Sequence, residues 1–116
     1  MADVKIYHNP NCSKSRGTLE ILRDKGVDHE VVEYLKTPPS REQFEEILSL
    51  LPDPPSELVR KDNRFKQLGL EAGAYETAEA VVGVLLEHPE LMQRPIVLKG
   101  DKAVIGRPPE NVLGIL

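Results

Sequence analysis

Short apolar runs, separated by proline, glycine and asparagine, divide the chain into brief elements. Residues 4–7 are mostly apolar and run into 8–11, which is rich in turn residues, so a strand and a turn are predicted. A helix is predicted over 13–25, where Leu19 and Leu22 lie on one face. The next apolar run, 31–35, predicts a second strand. A strand, a helix and a strand within about 30 residues form a βαβ unit with parallel strands.

Helical patterns dominate the middle of the chain. Ser40 opens a helix with a capping box, because Gln43 lies three residues later and an apolar stripe follows. Residues 52–73 are less regular, and two short helices are predicted there, at 57–60 and 64–68. A longer helix is predicted at 78–87. These helical patterns together occupy residues 40–87.

A hairpin and a final helix close the chain. Residues 96–99 and 102–105 flank Gly100 and Asp101, a two-residue loop typical of β-hairpins. Pro108 and Pro109 open a short helix, since proline is tolerated in a first turn. A βαβ unit followed by a ββα unit is the thioredoxin pattern. From this pattern alone, another α+β fold with the same elements remains open.

Composition narrows the class of protein. A length of 116 residues suits one domain, taken as 1–116. No apolar run approaches the roughly 20 residues that span a bilayer, and the first residues do not have the pattern of a signal peptide. We therefore expect a cytoplasmic protein without a membrane partner. The formal net charge of −4 argues against nucleic acid as the main partner.

The one cysteine, Cys12, has polar surroundings. A single cysteine excludes an intrachain disulfide, and the three scattered histidines match no metal-ligand spacing. A lone cysteine is often buried and inert, but residues 9–16 include no large apolar side chain. Cys12 also lies at the predicted start of a helix, near Lys14 and Arg16. Free N–H groups, the helix dipole and these cations lower a thiol pKa, and such N–H groups bind oxyanions. We therefore predict a reactive thiolate.

Ser15 stands where Cys-x-x-Cys enzymes carry their second cysteine. The segment 12–15 cannot close a disulfide within itself. A covalent adduct on Cys12 must then be resolved by a thiol from outside the chain. Glutathione and a glutaredoxin are the natural cytoplasmic candidates.

Residues 8–16, with the sequence HNPNCSKSR, resemble the active-site loop of the glutaredoxin-dependent arsenate reductases. Further segments similar to that family lie at 34–35, 38–41, 58–61, 67–70, 88–89, 94–97 and 105–109. Their order and spacing match over nearly the whole chain. The resemblance implies an α/β, thioredoxin-like fold with a mixed four-stranded sheet, flanking helices and an inserted helical region.

The resemblance also implies a set of site residues. Cys12 is the expected nucleophile, and His8 corresponds to a family histidine that is linked to a lowered thiol pKa, although it is equally consistent with a plain turn residue. Three family arginines that bind the oxyanion correspond to Arg60, Arg94 and Arg107. Ser15 is expected to contact the oxyanion or glutathione, or only to shape the helix start. Pro95 takes the place of the cis proline that faces the active cysteine.

The implied activity is the reduction of arsenate to arsenite with glutathione as co-substrate and glutaredoxin as partner, through attack of the Cys12 thiolate on arsenic. Neither a metal nor a tightly bound cofactor is expected. Two alternatives remain: a glutathione-linked thiol oxidoreductase with another substrate, and a non-enzymatic regulator that binds RNA polymerase. Such regulators typically carry Cys-x-x-Cys, so Ser15 argues against the second. The three arginines favour oxyanion chemistry over the first.

Overall fold

The computed structural model describes residues 3–116, whose strands form one mixed four-stranded sheet. The strands are β1 (Val4–His8), β2 (His29–Glu33), β3 (Ile96–Lys99) and β4 (Lys102–Ile105). Their order across the sheet is β2-β1-β3-β4; β1 and β2 are parallel, whereas β3 is antiparallel to both β1 and β4. The predicted mixed four-stranded sheet, with its βαβ and ββα units, is confirmed, and the fold is thioredoxin-like.

The described residues contain four α-helices besides the sheet. They are α1 (Ser13–Asp24), α2 (Arg41–Leu50), α3 (Asn63–Gln67) and α4 (Ala78–Glu87), and short 3₁₀ turns occupy Pro55–Leu58, Ala72–Ala74, Pro89–Leu91 and Pro109–Gly114. The capping box at the start of α2 is confirmed. The Ser40 hydroxyl accepts the Gln43 N–H at 3.2 Å, and the Gln43 side chain accepts the Ser40 N–H at 2.9 Å.

Each face of the sheet has its own apolar core. On one face α1 packs through Leu19 and Leu22 against Ile6 and Val97, together with the C-terminal 3₁₀ turn. The other face carries the larger core, in which α2, α4 and the segment 51–75 between them cover β1, β3 and β4. Because α1 is fixed to the sheet by its apolar face, its N-terminal end is held at the end of β1.

The second strand differs from its predicted range of 31–35. It begins at His29 and ends at Glu33, pairing along the whole length of β1. It ends there because the N–H groups of Lys36 and Thr37 both donate to the Glu33 carbonyl and close a turn. Leu35 is consequently exposed, whereas Tyr34 is fully buried.

The structure of residues 52–73, between α2 and α4, was only partly predicted. The short helix expected at 57–60 is a 3₁₀ turn that ends at Leu58, and the one expected at 64–68 is α3. The chain leaves the 3₁₀ turn early because it pairs with a distant segment through the bridge Val59–Met92. Within residues 3–116, no helix is long and apolar enough to cross a membrane.

Candidate active site

The topology brings three chain segments to one end of the sheet. β1 ends at His8, and its residue Tyr7 pairs with Ile96 at the start of β3. Ile96 also pairs with Ile105, at the end of β4. The loop that carries Cys12, the residues before β3 and the residues after β4 therefore meet at the same end.

Cys12 is the N-cap residue of α1, with an extended backbone, and its side chain is half-buried. The preceding loop is held by its own hydrogen bonds. The Cys12 N–H donates to the Asn9 carbonyl at 3.0 Å, and the Asn9 side chain accepts the Asn11 N–H at 3.0 Å. Arg16 closes over the loop, donating to the Pro10 carbonyl at 2.9 Å. The sulfur is thus fixed at a helix N-terminus, where the dipole favours an anion.

The surroundings of the sulfur favour the thiolate. Burial raises the pKa of the Cys12 thiol, but opposing groups outweigh it, and the pKa lies below its ordinary value. These groups are the backbone N–H of Ser15, the Arg94 guanidinium and the backbone N–H of Lys14. Arg107 Nη1 lies 3.8 Å from the sulfur. The thiolate is the nucleophilic form of cysteine, so this is the environment of a reactive thiol.

Main-chain pairing places the arginines beside one another. The Arg60 N–H donates to the Leu91 carbonyl at 2.7 Å, which draws Arg60 toward the residues before β3. The Gly106 N–H donates to the Pro95 carbonyl at 2.9 Å, and Arg107 Nη1 donates to the Arg94 carbonyl at 3.1 Å. The three arginines predicted from the resemblance therefore lie around Cys12, although they are far apart in sequence.

The arginine cluster is short of compensating negative charge. Burial lowers the pKa of Arg60, and the positive charges of Arg94 and Arg107 lower it further, against the effects of Asp62 and Cys12. Asp62 Oδ2 lies 3.6 Å from Arg60 Nη1. Like charges held close together oppose ionisation, and a bound anion relieves that repulsion. Guanidinium groups also offer paired donors that fit the oxygens of a tetrahedral oxyanion.

His8 and Ser15 form a buried pair behind the loop. His8 Nδ1 lies 2.7 Å from Ser15 Oγ, which also accepts the Asn9 N–H at 3.0 Å. Ser15 is buried and its hydroxyl is already engaged by His8 and the Asn9 N–H, so any contact of Ser15 with an oxyanion must come from its backbone N–H. Burial lowers the pKa of His8, and Arg23 and Arg16 add to this against the opposite effect of Glu33. A neutral His8 accepting the Ser15 O–H fits this arrangement.

We expect acid to destabilise the protein through His8. With its native pKa below the unfolded value of about 6.5, His8 contributes stability that is fully present above that value and lost as the pH falls toward the native pKa. The Tm of the wild type should therefore fall more steeply between pH 7 and 5 than that of His8→Gln. The control His29→Gln leaves the His8–Ser15 contact intact and should retain the wild-type dependence. Equal slopes for all three proteins would contradict this assignment.

Two cis peptide bonds border the site, at Arg94–Pro95 and Arg107–Pro108. The first is the bond that the resemblance implies, and the second was not predicted. Gly106 is required where these segments touch. A Cβ at this position would lie 2.6 Å from Thr18 Oγ1 and 2.7 Å from Pro95 Cγ, so only glycine allows this approach of the two chain segments.

One residue beside the arginines was not singled out from the sequence. Tyr34, the residue after β2, has its ring in the larger core, while its hydroxyl faces Arg94, with Asn9 and Arg60 nearby. The available signals were the family-like segment 34–35 and the position of this tyrosine at the end of a strand whose neighbour, β1, leads into the Cys12 loop. A tyrosine in an apolar core needs no functional explanation, so the pattern alone did not single it out.

A groove of about 410 Å³ lies beside Arg107, with Gln93, Asp53 and Glu57 among its lining. Its size falls within the range of small-molecule sites. In the part of the chain covered by residues 3–116, no three histidine, cysteine, aspartate or glutamate side chains are grouped as a metal site. The chemistry offered here is that of a thiolate among cations and backbone N–H groups.

The chain is similar to several known proteins along nearly its whole length. The uncharacterized protein YfgD of Escherichia coli (strain K12) is 47% identical over 115 residues, which cover 97% of this chain and 96% of YfgD. An arsenate reductase of Neisseria meningitidis serogroup B is 41% identical over 118 residues, covering 100% of both chains. The solved structure of the arsenate reductase from Vibrio cholerae superposes with a TM-score of 0.87 at 40% identity, covering 97% of each chain. The model of the ArsC family matches residues 7–115, and the chain therefore belongs to the ArsC family.

Proposed function

We propose that this protein is an arsenate reductase that uses glutathione and a glutaredoxin. The observation that carries the proposal is the half-buried Cys12 thiol, whose pKa is lowered at a helix N-terminus and which faces Arg94 and Arg107. The arsenate reductases among the relatives, at about 40% identity, support arsenate as the substrate.

The first step joins sulfur to arsenic. Arsenate, an anion near neutral pH, binds among Arg60, Arg94, Arg107 and the backbone N–H groups that follow Cys12. The thiolate attacks arsenic, forming an S–As(V) bond, and one oxygen leaves with protons as water. This is nucleophilic covalent catalysis in which preorganised donors stabilise the negative oxygens.

The electrons come from two further thiols. The glutathione thiol displaces a second oxygen as water and binds arsenic. A glutaredoxin thiolate then attacks the glutathione sulfur, and the electron pair of that S–As bond stays on arsenic, which becomes As(III). The products are a glutathione–glutaredoxin disulfide and a Cys12–As(III) adduct, and water cleaves the adduct to release arsenite and the free thiol. Two thiols are oxidised for each arsenic that is reduced by two electrons.

The need for outside thiols follows from the chain itself. Cys12 is the only cysteine of the sequence, and Ser15 replaces a resolving partner. Glutathione and glutaredoxin are cytoplasmic reductants, and we propose that compartment for the protein.

A reconstituted assay tests this function. Purified protein is incubated with arsenate and combinations of glutathione and glutaredoxin, and arsenite is measured. We expect arsenite only when both reductants are present, because each supplies one thiol of the disulfide. Thioredoxin in place of glutaredoxin is the control and should support little turnover. No arsenite from the complete mixture would refute the activity, and an unchanged rate without glutaredoxin would refute the coupling.

A further inference from the structure

Two tyrosines share an unusual state in this protein. Tyr7 and Tyr34 are both fully buried, and among residues 3–116 neither hydroxyl has a hydrogen-bond partner. Arg94 Nε is also buried without a partner. Buried polar groups in folded proteins are normally paired, so each of these atoms calls for an explanation.

The surroundings of the two hydroxyls differ in sign. Burial raises the pKa of Tyr7 to about 12, and the negative charges of Glu46 and Glu30 add to this. The Tyr34 hydroxyl lies beside the Arg94 guanidinium and the Asn9 side chain, and Arg60 adds positive charge to its surroundings. An unpartnered hydroxyl such as that of Tyr7 therefore does not by itself indicate a ligand site. The Tyr34 hydroxyl indicates one because it lies within the arginine cluster.

Among residues 3–116, the Tyr34 O–H and the Arg94 Nε–H both lack a hydrogen-bond acceptor. The guanidinium of Arg94 lies beside both the Cys12 sulfur and the Tyr34 hydroxyl, yet within residues 3–116 its Nε–H has no acceptor. Burial raises the pKa of Tyr34 despite the opposing arginines, so the hydroxyl keeps its proton near neutral pH and has a donor to offer. Both groups need an acceptor, and an oxyanion beside Cys12 brings several.

We propose that the Tyr34 hydroxyl is a further ligand of the oxyanion, donating a hydrogen bond to an anion oxygen beside Arg94. The identity of that anion as arsenate rests on the proposed function, whereas the contact itself requires only a tetrahedral oxyanion. The arginines supply charge, and Tyr34 supplies a neutral donor whose position is fixed by a ring embedded in the core. A fixed donor binds without the ordering cost of a mobile side chain.

Protection of the thiol from alkylation tests this contact without any turnover. Iodoacetamide modification of Cys12 is followed at increasing arsenate, with sulfate as a second probe, in wild type, Tyr34→Phe and Tyr7→Phe. We expect Tyr34→Phe to weaken the protection by about tenfold or more, the usual effect of losing a hydrogen bond to a charged group. Tyr7→Phe removes an equally buried hydroxyl outside the arginine cluster and should stay within about twofold of wild type.

Two further measurements distinguish a Tyr34 that binds the anion from a Tyr34 that only supports the structure of the site. Without anion, the pH midpoint of alkylation should be the same in Tyr34→Phe and wild type, since Tyr34 is not among the groups that set the thiol pKa. A shifted midpoint with unchanged protection would overturn the proposal, because Tyr34 would then act only by orienting Arg94. Arsenate should also perturb the near-ultraviolet tyrosine spectrum of the wild type, and no perturbation would count against the contact even if Tyr34→Phe folded poorly.

The experiments distinguish a failure of the proposed reductase activity from a failure of the proposed Tyr34 contact. If the reconstituted assay yields no arsenite but sulfate and arsenate still protect Cys12 in a Tyr34-dependent way, the oxyanion contact stands and the reductase activity does not. If neither anion protects the wild-type thiol, or if Tyr34→Phe and Tyr7→Phe are protected equally to wild type, the contact is refuted.

Discussion

Replacing Cys12 by serine is expected to reduce arsenite formation by roughly a thousandfold or more, the scale of loss when a covalent nucleophile is removed. Serine has no thiolate at working pH, so no S–As bond forms. The fold should remain intact, because Cys12 is an N-cap that makes no capping hydrogen bond and serine is a preferred N-cap residue. The measurement is the reconstituted assay, together with a thermal melt in which the Tm of Cys12→Ser equals or exceeds that of the wild type.

The same variant separates chemistry from binding. Cys12→Ser keeps all three arginines and the N–H groups of the helix start, so calorimetry should still detect arsenate binding. Ser13→Ala, one residue further along and exposed, is the matched control and should retain most of the turnover. Residual turnover within tenfold of wild type in Cys12→Ser would remove the cysteine from the mechanism.

The elements of the fold follow largely from local patterns. The capping box of Ser40 and Gln43, the run of α4 and the hairpin around Gly100 are each encoded within a few residues, and the structure contains all three. The second strand was misplaced because β2 is an edge strand of the sheet. Its residue Val31 is 41% exposed and the following Leu35 is 49% exposed, so apolar character did not mark the paired residues.

The site depends on contacts that no local pattern contains. Cys12 and its helix start were derived from adjacent residues, and the backbone N–H groups of that helix start do lower the thiol pKa. The cation that lowers it is the distant Arg94, not the predicted Lys14 and Arg16. Arg60 reaches the cluster only because residues 58–60 hydrogen-bond to residues 91–93, a pairing across about thirty residues that is not local. The resemblance alone singled it out.

Side-chain direction was equally beyond the sequence. Ser15 was expected to contact the oxyanion or glutathione, or only to shape the helix start. The helix instead directs its hydroxyl to His8 and the Asn9 N–H. Tyr34 was passed over because a core tyrosine is ordinary, and only the arginines around its hydroxyl distinguish it.

Replacing Arg94 by alanine is expected to weaken both the reactivity of the Cys12 thiol and the binding of arsenate. Arg94 helps to lower the thiol pKa, so its removal should shift the pH profile of Cys12 alkylation upward and leave less thiolate at neutral pH. It also removes charge-assisted hydrogen bonds to the anion, each worth about 1.5–3 kcal/mol, or roughly 10–150-fold in affinity. Arg107 should stay in place, because it donates to the Arg94 main-chain carbonyl. Alkylation rates against pH and arsenate titrations measure the two effects.

Raising the pH separates these two contributions of Arg94. Alkaline buffer restores the thiolate in Arg94→Ala, so alkylation without anion should recover to the wild-type rate, whereas arsenate binding should remain weak. Arg94→Lys keeps the positive charge but not the paired donors, so its thiol should titrate close to the wild type while its arsenate binding falls. Arg41→Ala, which removes an exposed arginine at the start of α2, should change neither property. If alkaline pH also restored arsenate binding to Arg94→Ala, the role of Arg94 would reduce to tuning the thiol, and Arg60, Arg107 and the helix N-terminus would be sufficient to hold the anion.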